Sequence, residues 1–134
     1  MISVPKKVSY ALTIVWECWR EKAKEKKPLS SRELSRKARL PQCFVAQITS
    51  ELKNGGILES REGIGGGYWL SRGWERKSLR ELLVILGEDK RFLECLDSKS
   101  ACGKSKVCPV RRIWGRVEGV LLQELERINL GELK

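Results

Sequence analysis

Apolar residues recur at three- and four-residue steps over Val8–Trp19, where Val8, Ala11, Leu12, Val15 and Trp19 share one face, and this periodicity predicts an amphipathic helix. It runs out into the lysine-rich stretch Arg20–Lys27, closed by Pro28. Such a run reads as a solvated helix end or loop, with phosphate contact as its alternative use. Ser30-Ser31-Arg32-Glu33 has capping-box spacing, so a short helix is expected over Ser31–Ala38 with Leu34 and Ala38 facing inward. Arg39-Leu40 makes a tight turn, and Pro41 suits the first position of the following helix. That helix should bury Phe44, Val45, Ile48 and Leu52, present Gln42, Cys43, Gln47 and Ser50 elsewhere, and stop at Gly55-Gly56.

The pattern then changes period. Ile57–Arg61 and Tyr68–Ser71 are short strand candidates, joined by Glu62-Gly63-Ile64-Gly65-Gly66-Gly67, a turn able to adopt positive φ. The glycine run lacks the Gly-Lys-Ser/Thr ending of a phosphate loop and leads into a strand rather than a helix, so it reads as the tip of a wing. Two helices joined by a turn and followed by a hairpin make a winged helix-turn-helix. A second capping box, Ser78-Leu79-Arg80-Glu81, opens a helix through Leu86 that Gly87 ends. Gly87–Cys108 has little periodicity and is expected to be mostly loop, with one helical turn near Arg91–Leu96. Pro109 opens a last long helix ending near Arg127, in which Val110, Trp114, Val117, Leu121, Leu125 and Ile128 form a nearly heptad stripe widened by Val120 and Leu122. A chain of 134 residues has little core left for so long an apolar face, so a homodimer through this helix is expected. The expected fold is mainly α with a small β-hairpin wing. It divides into a winged helix-turn-helix over 1–86, a cysteine-bearing loop over 87–108 and a dimerisation helix and tail over 109–134.

Composition narrows the function. Lys plus Arg number 27 against 17 Asp plus Glu, a net charge of +10, which suits a polyanionic partner. No apolar run approaches the roughly 18 residues of a membrane span, and Met1–Lys7 has no export signal, so no membrane partner and a cytoplasmic location are expected. The chain has no histidine, which removes the histidine base and the Ser-His and Cys-His couples and argues against an enzyme. The five tryptophans, Trp16, Trp19, Trp69, Trp74 and Trp114, are read as core or dimer-seam residues rather than as base-stacking platforms.

The five cysteines stand at positions 18, 43, 95, 102 and 108, an odd number that does not suggest a disulfide framework. Cys95-x₆-Cys102-x₅-Cys108 is the metal candidate. Thiolates suit zinc, copper(I) or iron–sulfur clusters, and spacings this wide fit a loop around a multi-iron cluster better than a zinc knuckle. The intervening small and cationic residues Ser98, Lys99, Ser100, Gly103, Lys104 and Ser105 suit an anionic group; three ordinary thiols are the alternative.

Leu40-Pro41 to Leu52, Gly-Gly-Gly-Tyr-x-Leu at 65–70, the three cysteines and Ile128-Asn129-Leu130 together resemble the Rrf-two winged-helix regulators, in particular their iron–sulfur-sensing, IscR/NsrR-like branch. The resemblance runs from about Val8 to Leu133. It implies a homodimer on a palindromic operator in double-stranded DNA, with the recognition helix in the major groove, the wing reaching the minor groove, and Cys95, Cys102 and Cys108 as ligands of a cluster that tunes DNA affinity. A 4Fe–4S cluster ranks ahead of 2Fe–2S. The chain departs from the pattern in two places. No histidine follows Cys108, and Ser9 stands where a carboxylate ligand is found in relatives. A fourth ligand would then come from Ser9, Glu94, Asp97, Cys18, Cys43, water or a small molecule. In the wing, Glu62 stands where many relatives have arginine, leaving Arg61 as the minor-groove reader.

Candidate DNA contacts are Ser31, Arg32, Gln42, Cys43, Gln47, Arg61 and Tyr68, with Arg36 placed for the backbone; Arg and Gln offer paired donors to base edges, and hydroxyls suit phosphate. The leading expectation is a transcriptional regulator, acting as a repressor, whose operator affinity follows the redox, iron–sulfur or nitric oxide status of its cluster. The alternatives are a cluster-free regulator of the same fold acting through thiols or a partner protein, and a zinc-stabilised RNA-binding or adaptor module.

Overall fold

The computed structural model describes residues 3–24, 27–91 and 108–134. Helix α1 spans Lys6–Lys24, so the lysine-rich stretch after Trp19 begins as further helical turns rather than as loop. Lys22 and Lys24 fall in its last turn, where cations are favoured by the helix dipole. The buried stripe is Val8, Ala11, Ile14, Val15 and Cys18, while Leu12 and Trp19 pack at its edge.

Helix α2 (Ser31–Ala38) starts on the expected capping box: the Glu33 amide donates to Ser30 Oγ at 3.1 Å and the Ser30 amide to Glu33 Oε2 at 2.8 Å. It ends at Arg39 in the left-handed region, with φ 57°. Pro41 is the cap residue of helix α3 (Gln42–Asn54) rather than its first helical position. Val45, Ile48, Thr49 and Leu52 form the buried face of α3. Phe44, expected on that face, is 46% exposed and meets Tyr10 of α1 edge-on at 5.9 Å. The buried place is taken by Thr49, whose hydroxyl donates to the Val45 carbonyl at 2.6 Å and so loses no hydrogen bond on burial.

Strands β1 (Leu58–Arg61) and β2 (Gly67–Leu70) pair antiparallel in a register running from Leu58 opposite Leu70 to Arg61 opposite Gly67. Leu29 joins their edge: its amide donates to the Tyr68 carbonyl at 2.9 Å, and the Tyr68 amide returns a bond to the Leu29 carbonyl at 2.7 Å. A Cβ at Gly67 would lie 2.5 Å from Leu29 backbone, and its φ is +143°, so both space and conformation require glycine there. A 3₁₀ turn (Trp74–Arg76) buries Trp74, and the second capping box opens helix α4 (Leu79–Ile85) through Ser78 and Glu81.

Helix α5 (Pro109–Arg127) packs on α4, and the tail returns to the winged domain. The Leu79 amide donates to the Ile128 carbonyl at 2.9 Å and the Leu130 amide to the Lys77 carbonyl at 2.8 Å. Leu130 is fully buried, which stabilises this return by about 1.5–3 kcal/mol. Among the described residues, no helix is long and apolar enough to cross a membrane.

Candidate nucleic-acid interface and cysteine segment

The sequence-predicted DNA residues lie on three neighbouring elements. Ser31, Arg32 and Arg36 are on α2, Gln42, Cys43 and Gln47 on α3, and Arg61 and Tyr68 on the hairpin. Ser31 and Tyr68 are half-buried and the other six are exposed. Exposure is what a reading surface needs, since a side chain committed to the core cannot reach a base edge.

The ionic pairing sorts the cations. Lys37 of α2 holds Glu21, a buried carboxylate of α1, at 2.5 Å, and so works for the fold. Arg32, Arg36 and Arg61 form no ion pair among the described residues, nor does Arg39 in the turn between α2 and α3. Arg39 was not among the sequence candidates. Its signal was its position: a residue between two short helices of such a pair must often adopt positive φ, a conformation costly for arginine. Ser30 and Glu33 hold the start of α2 beneath this face. The backbone amide of Ser30 holds the Glu33 carboxyl below the usual carboxylate range, so the α2 cap stays ionised and formed at neutral pH.

The recognition helix is tied to its surroundings by one lysine. Lys7 Nζ of α1 donates to Glu51 Oε1 of α3 at 2.9 Å and to the Leu86 carbonyl at 2.9 Å. Leu86 immediately precedes Gly87, whose φ of +69° ends α4. The chain therefore enters the cysteine-bearing segment at a point hydrogen-bonded, through Lys7, to the recognition helix. A cavity of about 480 Å³ opens beside this junction, lined by Lys6, Lys7, Tyr10, Phe44, Gln47 and Glu88 among others.

The segment's other end is equally fixed. Cys108 is a free, half-buried thiol and is the cap residue of α5. The Cys108 side chain makes no cap hydrogen bond and no acidic residue lies in the first turn, so among the described residues the partial positive charge of this helix start is available to an anionic group. Cys108 thus fits as one sulfur ligand of an anionic cluster. Cys95, Cys102, Glu94 and Asp97 lie outside the described residues, as does most of the loop expected over Gly87–Cys108. The described residues contain no group of three metal-binding side chains. Of the other fourth-ligand candidates, Ser9 is exposed on α1 and Cys43 is exposed on α3. Cys18 is buried, and desolvation, with Glu17 and Glu21 nearby, pushes its thiol up to about 12; it is a core residue, not a reactive one.

Helix α5 presents Val110, Trp114, Val117 and Leu121 as exposed side chains, together with Ile113 and Val120, while Leu125 and Ile128 are half-buried near the tail. The buried member of α5 is a carboxylate, Glu118, which pairs with Arg91. Of the tryptophans, Trp74 is core, while Trp16 is 39% exposed with the Arg20 guanidinium 4.5 Å above its ring.

This winged arrangement matches a known family, described as an iron-dependent transcriptional regulator, over residues 4–134. The chain belongs to the Rrf2 family. Its relatives are regulators of transcription, and the chain is one of these rather than an enzyme. Protein rrf2 of Nitratidesulfovibrio vulgaris is 24% identical over 79% of this chain and 71% of its own length. The HTH-type transcriptional regulator IscR of Escherichia coli is 26% identical over 79% of this chain and 65% of its own. The chain thus spans about two thirds of the IscR it matches. Among solved structures, T. potens IscR superposes with a TM-score of 0.73 at 17% identity, covering 98% of this chain and 85% of that one. CymR, the global cysteine regulator of B. subtilis, gives 0.68 at 24% identity, covering 99% and 96%. These two likenesses establish the winged-helix fold.

Proposed function

We propose that this Rrf2 regulator is a homodimer that binds a palindromic operator and acts as a repressor, with its grip on DNA set by the chemical state of Cys95, Cys102 and Cys108. The observation that carries the reading is the anchoring of the cysteine segment at both ends. Its entrance at Leu86 is joined through Lys7 to Glu51 of the recognition helix, and its exit at Cys108 occupies the cap position at the start of α5. A rearrangement of the segment therefore bears on both the reading head and the dimer helix. Arg32, Gln42, Cys43 and Gln47 address the major groove, Arg61 the minor groove, and Ser31, Arg36 and Tyr68 the backbone. Val110, Trp114, Val117, Leu121, Leu125 and Ile128 form the seam between copies.

The three thiolates would hold an iron–sulfur cluster, with 4Fe–4S ahead of 2Fe–2S. When bound, it supplies a centre sensitive to oxidants and nitric oxide. Ser9, Glu94 and Asp97 remain the protein-derived choices for the fourth position. A second reading, in which the thiols act without a cluster, is favoured by the likeness to CymR, which includes an oxidised form from Staphylococcus aureus at a TM-score of 0.63.

Absorbance spectra with iron and acid-labile sulfide analysis, taken without oxygen on the wild type and Cys102→Ala, test the assignment. The cluster reading expects visible absorbance and bound iron in the wild type, both lost in the variant. A colourless, iron-free wild type whose DNA binding still responds to oxidation of its thiols would establish the second reading.

A further inference from the structure

The wing tip carries the most exposed large apolar side chain among the described residues. Ile64 is 108% exposed, more open than in an extended reference chain, whereas Val120 and Val4 follow at 69% and 68%. Most other exposed large hydrophobics among the described residues lie on α5, where the proposed second copy would cover them; Ile64 stands on the wing instead. Ile64 is not part of the core cluster.

The turn presents this side chain rather than letting it collapse. Gly63 and Gly65, with φ of +92° and +75°, flank it and offer no side chain to shield it. The Gly66 amide donates to the Gly63 carbonyl at 3.0 Å. A Cβ on Gly66 would come within 2.2 Å of the Arg61 carbonyl oxygen, so the tip is folded tightly back on its own strand. The hairpin base is braced in turn by the Leu29–Tyr68 bridge and by the Trp69 indole N–H, which donates to Glu59 at 2.8 Å. A β-branched side chain, itself stiff about χ1, therefore stands at the end of a short braced beam. At the end of β1, Arg61 is exposed and, among the described residues, in no ion pair.

We infer that Ile64 is an apolar wedge: with Arg61 seating the wing in the minor groove, it enters that groove and partly unstacks one base step. The inference rests on the DNA-binding reading but not on the cluster. A cation with a neighbouring neutral knob matches a groove whose edges are anionic and whose sugar walls are apolar, and wedges of this kind act by kinking the duplex. A membrane surface would require several apolar side chains, and here the neighbour is Glu62. The chain would thus read, without base hydrogen bonds, how easily the flanking step deforms, with pyrimidine–purine steps the least costly.

The experiment uses the full-length protein and a pool of randomised duplexes, from which the wild type, Ile64→Val and Ile64→Ser each enrich binders. The duplex preferred by the wild type is then end-labelled for energy-transfer measurement of its bend. Ile64→Ser is expected to lose about tenfold in affinity for that duplex, to lose the step preference at the tip position, and to bend the duplex less. The dependence of its affinity on salt should stay unchanged, because no charge is removed. Ile64→Val should stay close to wild type. A serine variant with wild-type affinity, step preference and bend would overturn the wedge alone. An equal loss across all duplexes with the bend unchanged would overturn it too. A wild type that enriches no sequence would overturn the DNA-binding reading along with it.

Discussion

The winged domain and helix α5 use their apolar residues in opposite ways. From Val8 to Leu86 the chain supplies most of a core that Leu130 of the tail completes, with Ile14, Leu34, Val45, Ile48, Leu52, Ile57 and Leu82 all at 1% exposure or less. Helix α5 is of the same length as α1, yet its buried residue is Glu118 and most of its large apolar residues face outward. A winged domain whose core is completed by Leu130 of the tail is joined to a helix whose apolar face is largely uncovered. The contrast supports the proposed division of recognition and assembly between the two regions, with the cysteine segment between them.

Breaking the first region should cost the most stability. Leu52→Ala, at a fully buried position of α3, is expected to destabilise the chain by about 2–5 kcal/mol in chemical denaturation, because a cavity is left beside α1 and β1. Breaking the second region should change assembly rather than folding. Val117→Glu combined with Leu121→Glu places charges on exposed positions, so helix content should persist while light scattering reports a mass near the 15.3 kDa of one chain. An unchanged dimer in that variant would remove α5 from the interface.

The link between the regions is Lys7. Lys7→Met removes both donor bonds to Glu51 and Leu86 and leaves a partly buried carboxylate unpaired, at a cost of about 1–3 kcal/mol. DNA affinity in this variant should respond less to oxidation of the cysteines than in the wild type; an undiminished response would move the coupling elsewhere. Arg39→Gly sharpens the division of labour in the other direction. Relief of the left-handed strain, less the greater freedom of unfolded glycine, should raise stability by about 0.5–1 kcal/mol while DNA affinity falls. The smallest effect concerns the caps. Backbone hydrogen bonds from Ser30 and Ser78 lower the folded-state values of Glu33 and Glu81, so their contribution is present above the ordinary carboxylate value of 4.5 and fades as pH falls through the lowered ones. Glu33→Gln with Glu81→Gln should flatten the acid limb of a thermal-stability profile.

Much of this architecture was legible because local chemistry and tertiary packing agree. Both capping boxes formed as spaced, Gly55 stopped α3, the glycine run became a hairpin turn, and α5 began at Pro109 and ended at Arg127. Sequence pattern missed where two faces compete. Phe44 has the spacing of a core residue, but Tyr10 meets it at the rim, and Thr49 could enter the core by bonding its own helix backbone. The Lys7 bridge joins positions 44 and 79 residues apart, and no periodicity encodes such a contact. In the DNA face, residue type and helix side were readable, whereas the availability of each cation depended on ion pairs with other elements. Lys37 and Arg36 are neighbours in sequence, and only the former is committed to Glu21.

The central claim, that the cysteine segment governs the grip on DNA, is tested most directly by titrating the enriched duplex with protein prepared without oxygen, before and after its iron is removed. The account predicts iron bound at the start and an affinity that changes severalfold or more on removal, with Cys102→Ala fixed at the iron-free value. Equal affinity in all three states would contradict it.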